Sequence, residues 1–153
     1  MKKRSALFAL TFLIIFSAQT MAQDGMSIQK SNYSVQETTD RLERILTEKG
    51  LKIFEKVNHQ DGAASVGMDL SPSVVLIFGN PKLGTPLMQC APTVAIDLPQ
   101  KMLIWENAEG EVQIGYNSAD YLKSRHNIEG CTQELQKISG ALRNFAQSAA
   151  GSN

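Results

Sequence analysis

These 153 residues lack any complete catalytic signature. There is no C-x-x-C thiol pair, no H-E-x-x-H and no nucleophile elbow, so dithiol redox, zinc protease and serine hydrolase chemistry have no motif to stand on. An excess of one charge is missing too, with 15 Lys and Arg against 15 Asp and Glu. Without a basic footprint, nucleic acid and anionic membrane surfaces are set aside as partners. No apolar run is long enough to span a bilayer. The longest, Ala6 to Ala18, has 13 residues, where a membrane helix needs about 20. Internal repeats, low-complexity tracts and linkers are absent, so one domain is expected.

That short apolar run follows Lys2, Lys3 and Arg4 and precedes Thr20-Met21-Ala22, a small-x-small site. The pattern is that of a cleavable secretory signal over residues 1–22. With no cysteine near the cut, a lipoprotein is excluded, and the bacterial periplasm is the expected location. Removal of the signal leaves 131 residues, with 12 basic against 15 acidic side chains. No membrane association is expected after cleavage. The domain is read as residues 23–150, with 151–153 a frayed tail.

Both cysteines, Cys90 and Cys131, fall in the exported part. An even pair in an oxidising compartment is a disulfide candidate. Two buried thiols, or thiols held for metal or redox work, are the alternatives.

Local patterns supply the elements. Met26 to Tyr33 reads as a first strand. Ser34 and Glu37 form an S-x-x-E capping box, and Val35, Leu42, Ile45 and Leu46 share a helical face up to the stop at Gly50. Leu51 to Val57 alternates like a half-buried strand, and residues 58–72 read as a loop with room for one helical turn. The run S-V-V-L-I-F-G, Ser73 to Gly79, predicts a central strand covered on both faces. "KMLIWE" and "EVQIGY" flank a polar loop ending in Gly110, a hairpin signature. Asn117 is the expected N-cap of a short helix, and Leu135, Ile138, Leu142, Phe145 and Ala149 trace a closing helix from Thr132 to Ala149. Strands joined by hairpins with helices grouped around them predict an α+β domain with a largely antiparallel sheet.

Between strand and hairpin lies G-N-P-K-L-G-T, Gly79 to Thr85, with the outer spacing of a phosphate loop. Thr85 stands where that loop needs lysine, Pro86 where it needs a magnesium-binding hydroxyl, and Pro81 removes a cradle amide. Nucleotide binding is therefore set aside. The residues spell a turn at Asn80-Pro81, a tight entry at Gly84, then a helix capped by Thr85 and begun by Pro86. A helix start beside Lys82 has the parts to hold a small anion.

The segment from Phe78 to His126 also resembles a known family, the one catalogued as domain of unknown function 302. The shared pattern is FGNP-x-x-GTPLMQ-x-x-P, a DLP, a hairpin and Y-N-x-x-x-Y/L-x-x-x-H. It stands here as Phe78 to Gln89, Pro92, Asp97 to Pro99, Tyr116-Asn117 and His126, with His59 matching an upstream D/N-H. The resemblance, with its core at about residues 58–126, implies an α+β domain similar in outline to TATA-binding-protein-like folds, often homodimeric. It implies no activity. The family pattern carries a small or acidic residue at the place of Cys90, so Cys90 and Cys131 read as a local addition.

Three functions compete. In the first, Tyr116, Asn117, Tyr121 and His126 rim a pocket floored by Phe78, Leu87, Met88 and Trp105. Together with Lys82, Gly84 and Thr85, it would hold a small apolar or anionic ligand, or a partner protein. In the second, His59, Met88, Cys90 and His126, with Met68, Met102 and Cys131 in reserve, form a soft set for copper or zinc, although no pair has recognised ligand spacing. In the third, Asp97, Glu106, Asp120 and the histidines serve an unrecognised enzyme. The first leads, because parts of a pocket are present and a catalytic constellation is not; no resident cofactor is expected.

Overall fold

The structure, a computed structural model, describes residues 22–23 and 25–152. Apart from Ala22, the expected export signal lies outside the described residues. Strands β1 (Ala22–Gln23) and β2 (Met26–Lys30) lead into helix α1 (Val35–Glu48). The Ser34 hydroxyl accepts from the Glu37 amide at 3.2 Å, and Gly50 ends the helix at φ +70°, a conformation that costs a residue without Cβ little. Strand β3 (Lys52–Asn58) follows, then α2 (His59–Ser65). This last is a full two-turn helix rather than a loop, because Asn58 Oδ1 accepts from both Gln60 N and Asp61 N.

After β4 (Ser73–Gly79) come α3 (Pro81–Cys90), a 3-10 turn (Pro92–Ile96), the hairpin β5 (Gln100–Glu106) and β6 (Val112–Asn117), and helices α4 (Ala119–Arg125) and α5 (Thr132–Ala150). Asn117 pairs with Met26 in the sheet and so cannot cap α4. Ser118 does, its hydroxyl accepting from Tyr121 N at 3.1 Å. The expected frayed end is tied down as far as it is described. Asn32 donates to the Gly151 carbonyl at 2.8 Å, and Ser152 N donates to Gln147 O at 3.1 Å.

All strand pairs are antiparallel, in the order β1-β2-β6-β5-β4-β3. The fold is the expected α+β domain. α1 packs on β3, β4 and β5, and α5 on β2 and β6. Between helices and sheet lie Leu42, Leu46, Leu76, Phe78, Met102, Ile104, Ile114 and Leu142, each at most 2% exposed. Each contributes about 1.5–3 kcal/mol by leaving water. Phe78 meets Phe145 of α5 edge to face, centroids 6.4 Å apart.

The expectation that β4 is covered on both faces does not hold. Its residues alternate buried and half-buried, and β4 sits beside the edge strand β3. The unbroken apolar run arises because the second face is apolar yet left uncovered by the described residues. There Ile28, Gly115, Leu103, Val75 and Val57 form one row across five strands. A Cβ on Gly115 would come within 3.1 Å of both Met26 and Trp105, so glycine lets these large side chains close over β6.

Candidate functional site

The glycine-proline corner folds differently from its expected form. α3 begins at Pro81, not Pro86, and Asn80 rather than Thr85 is the N-cap. Asn-Pro is as competent a cap and first residue as Thr-Pro; coming first in the chain, it starts the helix. Pro86 then lies inside α3. The first amides are consumed locally: Lys82 N donates to Asn80 Oδ1 at 2.9 Å, while Leu83 N and Gly84 N donate to Asn80 O at 2.9 and 3.1 Å. Pro81 has no amide to give. The anion site expected beside Lys82 is therefore not assembled at this helix start.

What the corner builds is a cavity of about 440 Å³, within the range of small-molecule pockets. α3 and the 3-10 turn fold over the end of β4 and β5, and α5 closes the back. Phe78 forms the floor, Ile138, Leu142 and Phe145 the α5 wall, and Leu83 and Met88 the α3 wall. Phe54 and Leu83, 46% and 38% exposed, make an apolar mouth. Among the described residues no charged side chain lines it; Asn80, Thr85 and Gln100 are its polar members.

Gln100 opens β5 opposite Phe78 and shares the helix-facing side with Met102 and Ile104. Its Nε2 is buried with no hydrogen-bond partner among the described residues. Sequence reasoning missed it. The available signal was a polar residue in phase with the apolar side of an otherwise well-patterned strand.

Of the residues expected from sequence, Gly84, Thr85, Met88 and Phe78 line the cavity. Lys82 is exposed outside it. Leu87 is fully buried without lining it, and Trp105 belongs to the opposite sheet face. The expected rim does not gather there either. Tyr116 is buried in the core, where burial pushes its phenol above the ordinary value against the opposing pull of Ser27 and Arg143. Asn117 ends β6, and the Tyr121 hydroxyl accepts from the Arg125 guanidinium, beside which Arg125 itself is held above its ordinary value, chiefly by that bond.

His126 has a different post. Its side chain is 4% exposed, with Nε2 at 2.6 Å from Asp97 Oδ2 and Nδ1 at 3.0 Å from Thr93 Oγ1. Arg125 Nε approaches the same Asp97 oxygen at 3.2 Å. The cluster pins the 3-10 turn to the end of α4. With both ring nitrogens engaged, this histidine braces the cavity's outer cover.

Cys90 and Cys131 form a disulfide, Cα atoms 6.5 Å apart. It joins the end of α3 to the start of α5, the two helices that wall the cavity. The bridge withdraws Cys90 from the expected metal set, and His59 is exposed on α2. Among the described residues, no three His, Cys, Asp or Glu side chains come together to hold a metal.

Comparison with known proteins agrees with this geometry. Residues 27–145 match the model of the family described as domain of unknown function DUF302. The fluoride-specific ion channel FluC 1 of Brucella suis biovar 1 (strain 1330) is 36% identical over 109 residues, 71% of this chain and 43% of that protein. FluC 1 of Brucella abortus biovar 1 (strain 9-941) is likewise 36% identical, over 71% of this chain and 40% of its own length. The chain thus spans about two fifths of the length of the curated relatives it matches. In three dimensions it is similar to the crystal structure of the uncharacterized conserved protein DUF302 from Bacillus stearothermophilus. The TM-score is 0.66 at 20% identity, covering 83% of this chain and 96% of that one. Pattern, family model and fold coincide: the chain belongs to the DUF302 family.

Proposed function

We propose that the domain is an exported binding module that holds a small, mainly apolar molecule between α3, α5 and the end of the sheet. The carrying observation is the open cavity of about 440 Å³, lined among the described residues by no charged side chain. Packed interiors rarely leave apolar space of that size, and one with an apolar mouth admits a ligand without desolvating charge. The Cys90–Cys131 bridge supports the exported placement, since disulfides persist in oxidising compartments. The Brucella relatives are named fluoride-specific ion channels; more than half of their length lies outside the match, so no channel activity is carried over.

A second copy of the chain is the protein partner in this proposal. The apolar row, on the sheet face that the described residues leave uncovered, carries no charge, and such a row is complementary to itself about a two-fold axis.

The cavity reading is tested with phenylnaphthylamine, a neutral fluorophore that brightens in apolar surroundings. Binding to the unaltered protein is expected, with loss in an Ala141→Phe variant that fills the cavity from α5 while keeping its circular dichroism. Equal brightening with both proteins would place the dye elsewhere and remove the proposal's support.

A further inference from the structure

The Cys90–Cys131 bridge joins unlike helix ends. Cys90 is the last residue of α3 and Cys131 the N-cap of α5, so the bond ties the cavity's two helical walls together. The two sulfurs differ in reach. Cys90 is exposed, whereas Cys131 is half-buried and packs against the core. They differ in electrostatics as well. A thiolate is favoured at the amide end of a helix and disfavoured at the carbonyl end. Among the described residues no side chain caps the first amides of α5, so a sulfur anion at Cys131 meets them free. α3, for its part, is a poor helix left to itself. Pro86 in its interior gives up a backbone hydrogen bond, and Gly84 costs about 1 kcal/mol against alanine. Its wall residues Leu83 and Met88 flank this weak point.

We propose that the bridge is a redox latch on the cavity, opened by a dithiol reductant that attacks at Cys90; the latch rests on the binding reading above. A thiolate of the reductant attacks Cys90 Sγ and forms a mixed disulfide there. Cys131 leaves as a thiolate against the α5 amides and then takes a proton from water. The reductant's second thiol displaces Cys90 in turn. Two electrons pass: the protein gains two thiols and the reductant becomes a disulfide. The order follows from the two sulfurs, since exchange is faster at the accessible sulfur and when the departing thiolate is the better stabilised. With the bond broken, α3 is still held at its start by Asn80 and in its middle by the buried Leu87, but its end is no longer tied to α5. The 3-10 turn stays pinned by His126 and Asp97, so the loosening falls on the α3 wall. The oxidised, clamped protein retains its ligand, and reduction releases it.

The test uses the disulfide-bonded protein with phenylnaphthylamine as the probe. Brief exposure to glutathione, quenched with N-ethylmaleimide and mapped by peptide mass, should find glutathione on Cys90 and maleimide on Cys131. Dithiothreitol should lower the affinity for the dye by roughly fivefold or more, with circular dichroism retained, and reoxidation with diamide should restore it. By linkage, saturating dye should shift the balance toward the bridge by the same factor in a glutathione redox buffer. The double variant Cys90→Ser, Cys131→Ser should bind the dye like the reduced chain and ignore dithiothreitol. Glutathione found mainly on Cys131 overturns the attack at Cys90. Unchanged affinity in a chain whose mass shows both thiols, or loss of the fold on reduction, overturns the latch while the cavity reading stands. An oxidised protein that ignores the dye overturns both.

Discussion

Replacing both Cys90 and Cys131 by serine should cost the protein about 4 kcal/mol. The bridge spans 41 residues of sequence. Closing a loop of that length removes roughly 13 cal/mol/K from the unfolded chain, which is about 4 kcal/mol at room temperature. Set against the 5–15 kcal/mol typical of a whole domain, that is a large fraction. The substitution isolates the bridge well. Cys131 sits at φ +45°, where serine pays the same backbone penalty, and neither sulfur anchors the centre of the core. Equilibrium urea unfolding of the oxidised protein and the double variant measures the difference, with intact mass confirming the bridge beforehand. A drop in melting temperature of roughly 10–20 °C should accompany it. The variant should also bind phenylnaphthylamine more weakly, because α3 and α5 are no longer clamped across the cavity. A loss under about 1 kcal/mol, with the bridge verified in the parent, would refute the loop-closure reasoning.

Asn80→Ala removes the cap of α3 and releases Lys82 N; a loss of about 1 kcal/mol in urea unfolding is expected, whereas Thr85→Ala should change little. Burial raises the Tyr116 phenol, so its contribution to stability is complete below its unfolded value of about 10 and is lost as pH rises through the folded value. Urea midpoints followed into alkali should therefore fall less steeply for Tyr116→Phe than for the parent; parallel curves would contradict this. Leu103→Asp, at the middle of the uncovered sheet face, should convert a sedimenting dimer into a monomer with unchanged circular dichroism. A parent that sediments as a monomer at every concentration would retire the second copy as partner.

The elements that local chemistry defines were readable before any coordinates. α1 announced itself through Ser34, Glu37 and Gly50, α5 through its apolar spacing, and the hairpin through its polar loop, because each signal is complete within a few residues. The misreadings share one cause: two local solutions of nearly equal quality competed, and chain context chose. Asn80-Pro81 and Thr85-Pro86 are both good helix starts, and the earlier one prevailed at the expense of a proline inside α3. Asn117 and Ser118 are both good caps, and sheet pairing claimed Asn117. In β4 the apolar run identified a strand correctly but not its surroundings, since a run apolar on both sides reads alike whether the second side is covered or bare.

The site was less legible for a deeper reason. The family pattern around Phe78 to Met88 marked the right corner, and seven of its fixed positions do line the cavity: Phe78, Gly79, Asn80, Pro81, Gly84, Thr85 and Met88. The other walls come from β5 and α5, up to 67 residues further along the chain, and nothing local in Ile138, Leu142 or Phe145 separates a cavity wall from ordinary core. Polar residues distributed oppositely to intuition. The conspicuous ones, Asn80, Asp97 and His126, are consumed in holding the corner's shape: a cap in the first case, a brace between turn and helix in the others. Gln100, inconspicuous in sequence, is the one lining side chain whose buried donor is left without a partner among the described residues. That donor is closed even to a molecule the size of water, and so to a ligand atom as well; what the lining presents is apolar bulk, spread over several elements that no single motif carries.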